Sequence, residues 1–330
     1  MGDGLWVLVA VIAIALVFDY INGMHDAANA IATVVSTRVL SPRKAIFLAA
    51  VLNFGGAFLS TAVAKTIGKG IVDPKLVTNG IVAAALLGAI FWNLFTWYKG
   101  IPSSSSHALI GGVMGAAASY HGFGALNWSG LTKIITALVL SPILGILGGF
   151  IIMAAIAWMF RSSSAGYVNR LFKILQIVSA SFMAVSHGSN DAQKVMGVIT
   201  MALLGMGYIS DFNVPIWVVI GCATAMAMGT AAGGWRIIKT MGVKIIKLQP
   251  VNGFAAETAA SIIILGATHF GTPVSTTHVI SSTIMGVGTA KRASAVNWGV
   301  VGSMLIAWVL TIPASGLVAY GIGRILRLFA

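Results

Sequence analysis

The chain reads as a succession of apolar blocks separated by short polar stretches. A helix that crosses a bilayer takes roughly 20 mostly apolar residues, and runs of that kind lie at 5–22, 44–68, 79–98, 130–160, 214–233, 251–270 and 293–328. No soluble domain fits between them. The first run follows Asp3 rather than a basic segment and ends in no small-residue cleavage site, so a first spanning helix is expected there and not a removable signal peptide. Composition agrees with this pattern: 58% of residues are hydrophobic and 8% charged, at a mean hydropathy of +0.95. Those values lie far from soluble domains.

The excess of 20 Lys and Arg over 7 Asp and Glu would point to nucleic acid in a soluble protein. Here it reads as topology. Basic residues collect between apolar runs, at Arg38, Arg43 and Lys44, at Arg161, Arg170 and Lys173, and at Arg236, Lys239, Lys244 and Lys247, as the positive-inside rule requires. Lys65, Lys69 and Lys75 blur the pattern, so the sequence leaves orientation open. The single cysteine, Cys222, excludes an intrachain disulfide and a Cys-rich metal site.

Two motifs occur twice in the same order. N-G-M-H-D-A-A-N around Asp26 lies over H-G-S-N-D-A-Q-K around Asp191, an offset of 165 (26 to 191) that pairs Gly23 with Gly188. G-I-P-S-S-S-S-H ending at His107 matches G-T-P-V-S-T-T-H ending at His278, an offset of 171 (107 to 278). Asn79-Gly80 pairs with Asn252-Gly253, and Met114-Gly115 with Met285-Gly286. The chain therefore divides into a first transmembrane repeat over 1–160, a polar connection over 161–173 and a second repeat over 174–330. Duplicated halves that hold a substrate where they meet are a common transporter plan.

Asp19, Asp26, Asp191 and Glu257 fall inside or beside apolar runs. A carboxylate at membrane depth costs about 2.5 to 3.5 kcal/mol even on insertion scales, so it faces a cavity or a partner. A helix cap or an interhelical bridge would explain one such residue, but the duplication of Asp26 and Asp191 argues for a shared task. Hard oxygen ligands suit hard cations, and Asp26 with Asn22 and Asn29, or Asp191 with Asn190, offers carboxylate and amide oxygens on a short arc. Na⁺ fits such a set and H⁺ on the carboxylate is the rival. Glu257, whose first-half counterpart is Ala84, breaks the symmetry and reads either as a third cation ligand or as the partner of a basic residue.

The second motif reads as an anion site. Pro102 and Pro273 suit the first turn of a helix, and the hydroxyls of Ser103 to Ser106 and Ser275 to Thr277 suit its cap. Two helix starts with free N–H groups and positive dipole ends could share one phosphate. The hydroxyls could instead satisfy backbone carbonyls of broken helices. His25, His107, His187 and His278 stand beside these motifs, as transition-metal ligands or as neutral imidazoles bonded to broken backbone. The Ser and His residues of P-S-S-S-S-H lack an orienting third group, so no enzyme is expected.

Together these residues resemble the inorganic phosphate transporter (PiT) family, whose signature is close to G-A-N-D-x-A-N in the first half and H-G-x-N-D in the second. The likeness is carried by Gly23, Asp26 and Asn29; Pro102, Ser104 and His107; Gln176; His187, Gly188, Asn190 and Asp191; and Pro273, Ser275, Thr276, Thr277 and His278. Met24-His25 replaces the commoner Ala-Asn, and Lys194 stands where some members have Asn. The resemblance implies an all-α polytopic membrane protein of about twelve helical segments in two inverted halves, with broken or re-entrant helices. It also implies phosphate uptake by symport with Na⁺. A proton-coupled phosphate or sulfate permease, a channel and a non-transporting scaffold of the same fold remain alternatives. Phosphate is assigned to Ser104, Ser105, Ser106, Ser275, Thr276, Thr277 and Asn29. The cation is assigned to Asp26, Asp191, Asn22, Asn190, Glu257 and Gln176, with Na⁺ itself at Asp26, Asp191 and Glu257. No cofactor is expected beyond Na⁺ as coupling ion. The expected partners are phosphate, Na⁺ or H⁺, membrane lipid and a second copy in a homodimer, without nucleic acid, in a bacterial or archaeal cytoplasmic membrane.

Overall fold

The computed structural model describes residues 2–328, and side chains from Leu5 onward; the side chain of Asp3 lies outside the described residues. All twelve α-helices fall into two sets of six: α1 Gly2–Ser36, α2 Pro42–Gly56, α3 Ala62–Gly70, α4 Asn79–Lys99, α5 Ser105–His121 and α6 Trp128–Met159, then α7 Ala165–Gly205, α8 Ile216–Ala232, α9 Trp235–Lys239, α10 Pro250–His269, α11 Thr276–Lys291 and α12 Trp298–Leu326. Six of them are long and apolar enough to cross a membrane among the described residues, and α8 with α9 and the helical turn that follows it forms one further candidate span bent by 62°.

Equivalent residues shape equivalent breaks. Gly100 and Gly271 adopt positive φ, +66° and +64°, at the ends of α4 and α10. That conformation costs an L-residue with a side chain roughly 1 kcal/mol or more. Each glycine turns the chain toward a proline and a serine cap. The Oγ of Ser104 accepts the His107 N–H at 3.1 Å, and that of Ser275 accepts the His278 N–H at 3.2 Å. Asn127 and Asn297 likewise cap α6 and α12 by accepting N–H bonds from Gly130 and Val300. Pro142 and Pro313 lie inside those two helices at matching positions.

One expected span meets a different outcome. The run 44–68 is not one helix, because the chain leaves helix between Gly56 and Ala62 to form α2 and α3. The apolar runs also pass over the 41-residue α7, which is nonetheless long and apolar enough to cross a membrane, because the motif around Asp191 fills its middle with polar residues that the fold buries. Residues 165–173 of the polar connection already belong to α7.

The halves are interlocked rather than side by side. Helix α1 packs on α8, α7 on α2 and α3, α5 on α12, and α6 on α11. Glycines set these approaches. A Cβ at Gly23 would lie 2.2 Å from the Met226 carbonyl oxygen, and one at Gly188 would lie 2.2 Å from that of Asn53. The contacts also fix direction. Leu16 meets Gly221 and Ser36 meets Gly242, so α1 runs parallel to α8 and the turn that follows it. Asn53 meets Gly188 and Ala64 meets Gly197, so α2 and α3 run parallel to α7. Ile46 meets Gly233 while Asn53 bonds Thr230, so α2 runs opposite to α8. Equivalent helices therefore run in opposite directions, and the repeat is inverted.

One end of the molecule gathers the turns after α1, α6 and α11 and the one before α10, as the contacts of Gly242 with Ser36, of Asn297 with Ile245 and of Gly253 with Gln176 show. Arg38, Arg43, Lys44, Arg161, Arg170, Lys173, Lys244, Lys247, Lys291 and Arg292 lie in or beside these turns, which contain no acidic residue. The opposite end joins Asn127 to Ile71, Gly205 to Pro74 and Arg327 to Tyr120, and mixes Lys69, Lys75 and Arg327 with Asp73 and Asp211.

Candidate functional site

The inverted symmetry brings the starts of α5 and α11 together in the interior. The rings of His107 and His278 lie 4.4 Å apart, and Trp308 stacks on His278 at 3.9 Å. From this junction α5 leaves along α12 and α11 leaves along α6. Two positive helix ends thus meet in one place. The middles of α1 and α7 cross beside them, carrying the two aspartates. Asp26, His187 and Asp191 each offer a polar atom, and these lie within 4.8 Å of one another.

Hydrogen bonds join the four elements. Asn29 Nδ2 donates to Thr276 Oγ at 3.2 Å and to Thr277 Oγ at 2.9 Å. Thr276 Oγ donates to Asp191 at 2.8 Å, and Thr277 Oγ to Asp26 at 3.3 Å. Each first-half group thereby meets hydroxyls of the second half. In return Lys194, on α7, donates to Ser106 Oγ of α5 at 2.5 Å, to the Val274 carbonyl at 2.9 Å and to Asp191. Asp26 is 2.7 Å from His25 Nδ1, and His25 Nε2 is 3.1 Å from Thr96 Oγ. Asn190, the counterpart of His25, donates to Thr268, near the end of α10 as Thr96 is near the end of α4, at 2.9 Å.

The structure brings Ser104, Ser105, Ser106, Ser275, Thr276, Thr277, Asn29, Asp26, Asp191 and Asn190 to this junction, all 4% exposed or less. Ser105 Oγ and the side-chain oxygens of Asn29 and Asn190 are buried without a protein partner. A buried polar atom left unpaired costs about 1 to 3 kcal/mol, so these atoms mark places for a polar guest. Asn22 instead donates to Asp19 at 3.4 Å, one turn back along α1.

Glu257 and Gln176 form a second buried cluster nearer the basic end. Thr33 and Ser179 donate to the two Glu257 oxygens, Gln176 Nε2 donates to it at 3.4 Å, and Gln176 Oε1 accepts from Thr37 at 2.9 Å. Its partners are amide and hydroxyls, not a basic residue. Thr96, Thr268, Asn53, Thr33 and Ser179 were not among the expected site residues.

Inverted, interlocked repeats with broken helices that meet at a buried polar centre are a plan found in many membrane transporters. The model of the phosphate transporter family matches residues 22–168 and again 161–319. The chain belongs to that family. It is 54% identical over 325 residues to a probable low-affinity inorganic phosphate transporter of Bacillus subtilis, covering 96% of this chain and 98% of that one. It is 52% identical to the Rhizobium meliloti protein of the same description, covering 94% of each. A putative phosphate permease of Thermococcus kodakarensis is 28% identical over 98% of both chains. The solved structure of a sodium-dependent phosphate transporter superposes with a TM-score of 0.88 at 24% identity, over 98% of this chain and all of that one, which shows the shared fold.

Proposed function

We propose that this phosphate transporter takes up inorganic phosphate by symport with a cation, Na⁺, through the buried centre where α5 and α11 begin. The observation that carries the reading is the junction of two hydroxyl-capped helix starts with a carboxylate beside each. Ser104, Ser105, Ser106, Ser275, Thr276, Thr277 and Asn29 are proposed to hold phosphate through hydroxyl, amide and backbone N–H donors. Asp26 with the neighbouring amide oxygens is proposed to hold a cation.

Coupling follows from charge. At about 4 Å two unit charges interact by roughly 4 kcal/mol at an effective dielectric of 20, so an anion beside Asp26 is repelled until a cation stands between them. The cation completes the anion site, and by reciprocity the anion tightens cation binding. Glu257 with Gln176 is proposed as an accessory cation site on the way to the basic end. The density of basic residues there supports a cytoplasmic position for that end, by the positive-inside rule. Proton coupling is the second reading, favoured by His25 against Asp26.

Uptake of radiolabelled phosphate into proteoliposomes, with Na⁺ and H⁺ gradients imposed separately, tests the proposal. Saturable uptake that collapses when choline replaces Na⁺ is the expected result. Undiminished uptake in choline under a proton gradient removes Na⁺ from the mechanism, and no uptake under either gradient removes symport.

A further inference from the structure

Position 194 is the repeat of position 29, at the same 165-residue offset that pairs Asp26 with Asp191. Asn29 donates to Thr277 at 2.9 Å, and Lys194 donates to Ser106, the equivalent of Thr277, at 2.5 Å. The two side chains therefore do the same thing in mirrored places, yet one is a neutral amide and the other an amine. Lys194 is 3% exposed, and its nitrogen has three acceptors: Ser106 Oγ, the Val274 carbonyl and an Asp191 oxygen. Three acceptors match the three N–H donors of an ammonium and leave none over. One precedes α11 and another opens α5, so the ammonium sits between the two helix starts and against the carboxylate.

We infer that Lys194 is a resident cation: its ammonium occupies the position at Asp191 that a mobile coupling ion would otherwise take, and its charge faces the transported phosphate between the two helix starts. This deepens the symport reading and rests on it. Asp26 and Asp191 bring two negative charges to the centre and Lys194 returns one positive. A centre with amides at both 29 and 194 would need one more mobile cation to reach the same balance. The ammonium also explains how two helix N-termini and a basic group tolerate one another, since an anion between them neutralises all three. His25 and His187 face Asp26 and Asp191, at 2.7 and 3.2 Å. Both are kept in every variant below, so their contribution cancels in the comparison. A carrier that moves one ion fewer per phosphate sustains a lower accumulation ratio, by a factor equal to the gradient of that ion.

The test compares the full-length wild type with Lys194→Asn, which copies Asn29, and with the double variant Asp191→Asn/Lys194→Asn, which removes carboxylate and ammonium together. Net charge moved per phosphate is measured in proteoliposomes, and the Na⁺ order of equilibrium phosphate binding is measured in detergent. Lys194→Asn is expected to move one more positive charge per phosphate and to raise the Na⁺ order by one. Its phosphate affinity falls roughly tenfold, because a positive charge beside the anion is lost, so phosphate is raised to compensate. The double variant is expected to return to the wild-type count, which a merely structural role for Lys194 would not produce. Should Lys194→Asn fail to fold, Lys194→Gln carries the same expectation. Phosphate binding with unchanged charge and unchanged order in the single variant overturns the inference alone. A wild-type chain that binds no phosphate overturns the transport reading and this inference with it.

Discussion

Among single residues, the hydroxyls at the two helix starts have the clearest expected effect. Ser105→Ala, Ser106→Ala, Thr276→Ala and Thr277→Ala should each weaken phosphate binding by roughly tenfold or more, because a hydrogen bond to a charged group contributes about 1.5 to 3 kcal/mol. Equilibrium binding of labelled phosphate checks this, and wild-type affinity in all four folded variants would put the anion elsewhere. The carboxylates bear on selectivity. Near neutral pH phosphate still carries a proton that an acceptor-only carboxylate can receive, while sulfate carries none. Asp26→Asn should therefore narrow discrimination against sulfate, read as sulfate competition at saturating Na⁺; exclusion as strict as wild type would leave selectivity to the hydroxyls. These residues were legible because they sit in short duplicated motifs, where a buried charge repeated at a fixed offset asks for one explanation. Their supports were not. Thr96 lies 71 positions from His25, and Thr268 lies 78 from Asn190, so only folding puts them side by side. The amine of Lys194 stood out in the sequence as a departure from a pattern. One of its acceptors, Asp191, stands three residues before it, but Ser106 and Val274 lie 88 and 80 positions away, and only folding brings them to the amine.

The elements were legible wherever apolar residues ran on long enough, as in α4, α6, α10 and α12. Reading faltered where helices break, because an apolar block such as 44–68 looks the same whether it is one span or two pieces. It faltered again in α7, whose central polar residues are buried against α2 and α3 rather than exposed to lipid. The glycines of the aspartate motifs act at this level. Gly188→Ala puts a Cβ 2.2 Å from the Asn53 carbonyl oxygen, and backbone cannot yield as a flexible side chain would. The expected result is a large drop in melting temperature and loss of uptake. Gly55→Ala, a helical glycine with nothing within 4 Å of its Cβ position, serves as the control and should keep the wild-type melting temperature within a few degrees. Equal behaviour of the two variants would mean that α2 and α7 do not need this close approach.

For the molecule as a whole, two halves could be read from the sequence, but their relative direction could not, because it depends on which helices pair across the repeat boundary. Pairing of α1 with α8 and of α7 with α2 makes each half the other's packing partner. Residues 1–164 expressed alone should be degraded or remain unfolded, whereas the same fragment co-expressed with 165–330 should co-purify and restore uptake; a stable, monodisperse first half would contradict this. The interlocking also has a consequence for synthesis. Gly23 finds its place only against Met226, and that partner leaves the ribosome about 200 residues later, roughly 10 to 40 s at 5 to 20 residues per second. Throughout that interval the nascent helix carries Asp19 and Asp26 without their final neighbours, so the insertion machinery must either shelter a charged helix or let it wait at the membrane surface. In such a protein the order of translation, as much as the final packing, decides whether a half-made chain survives.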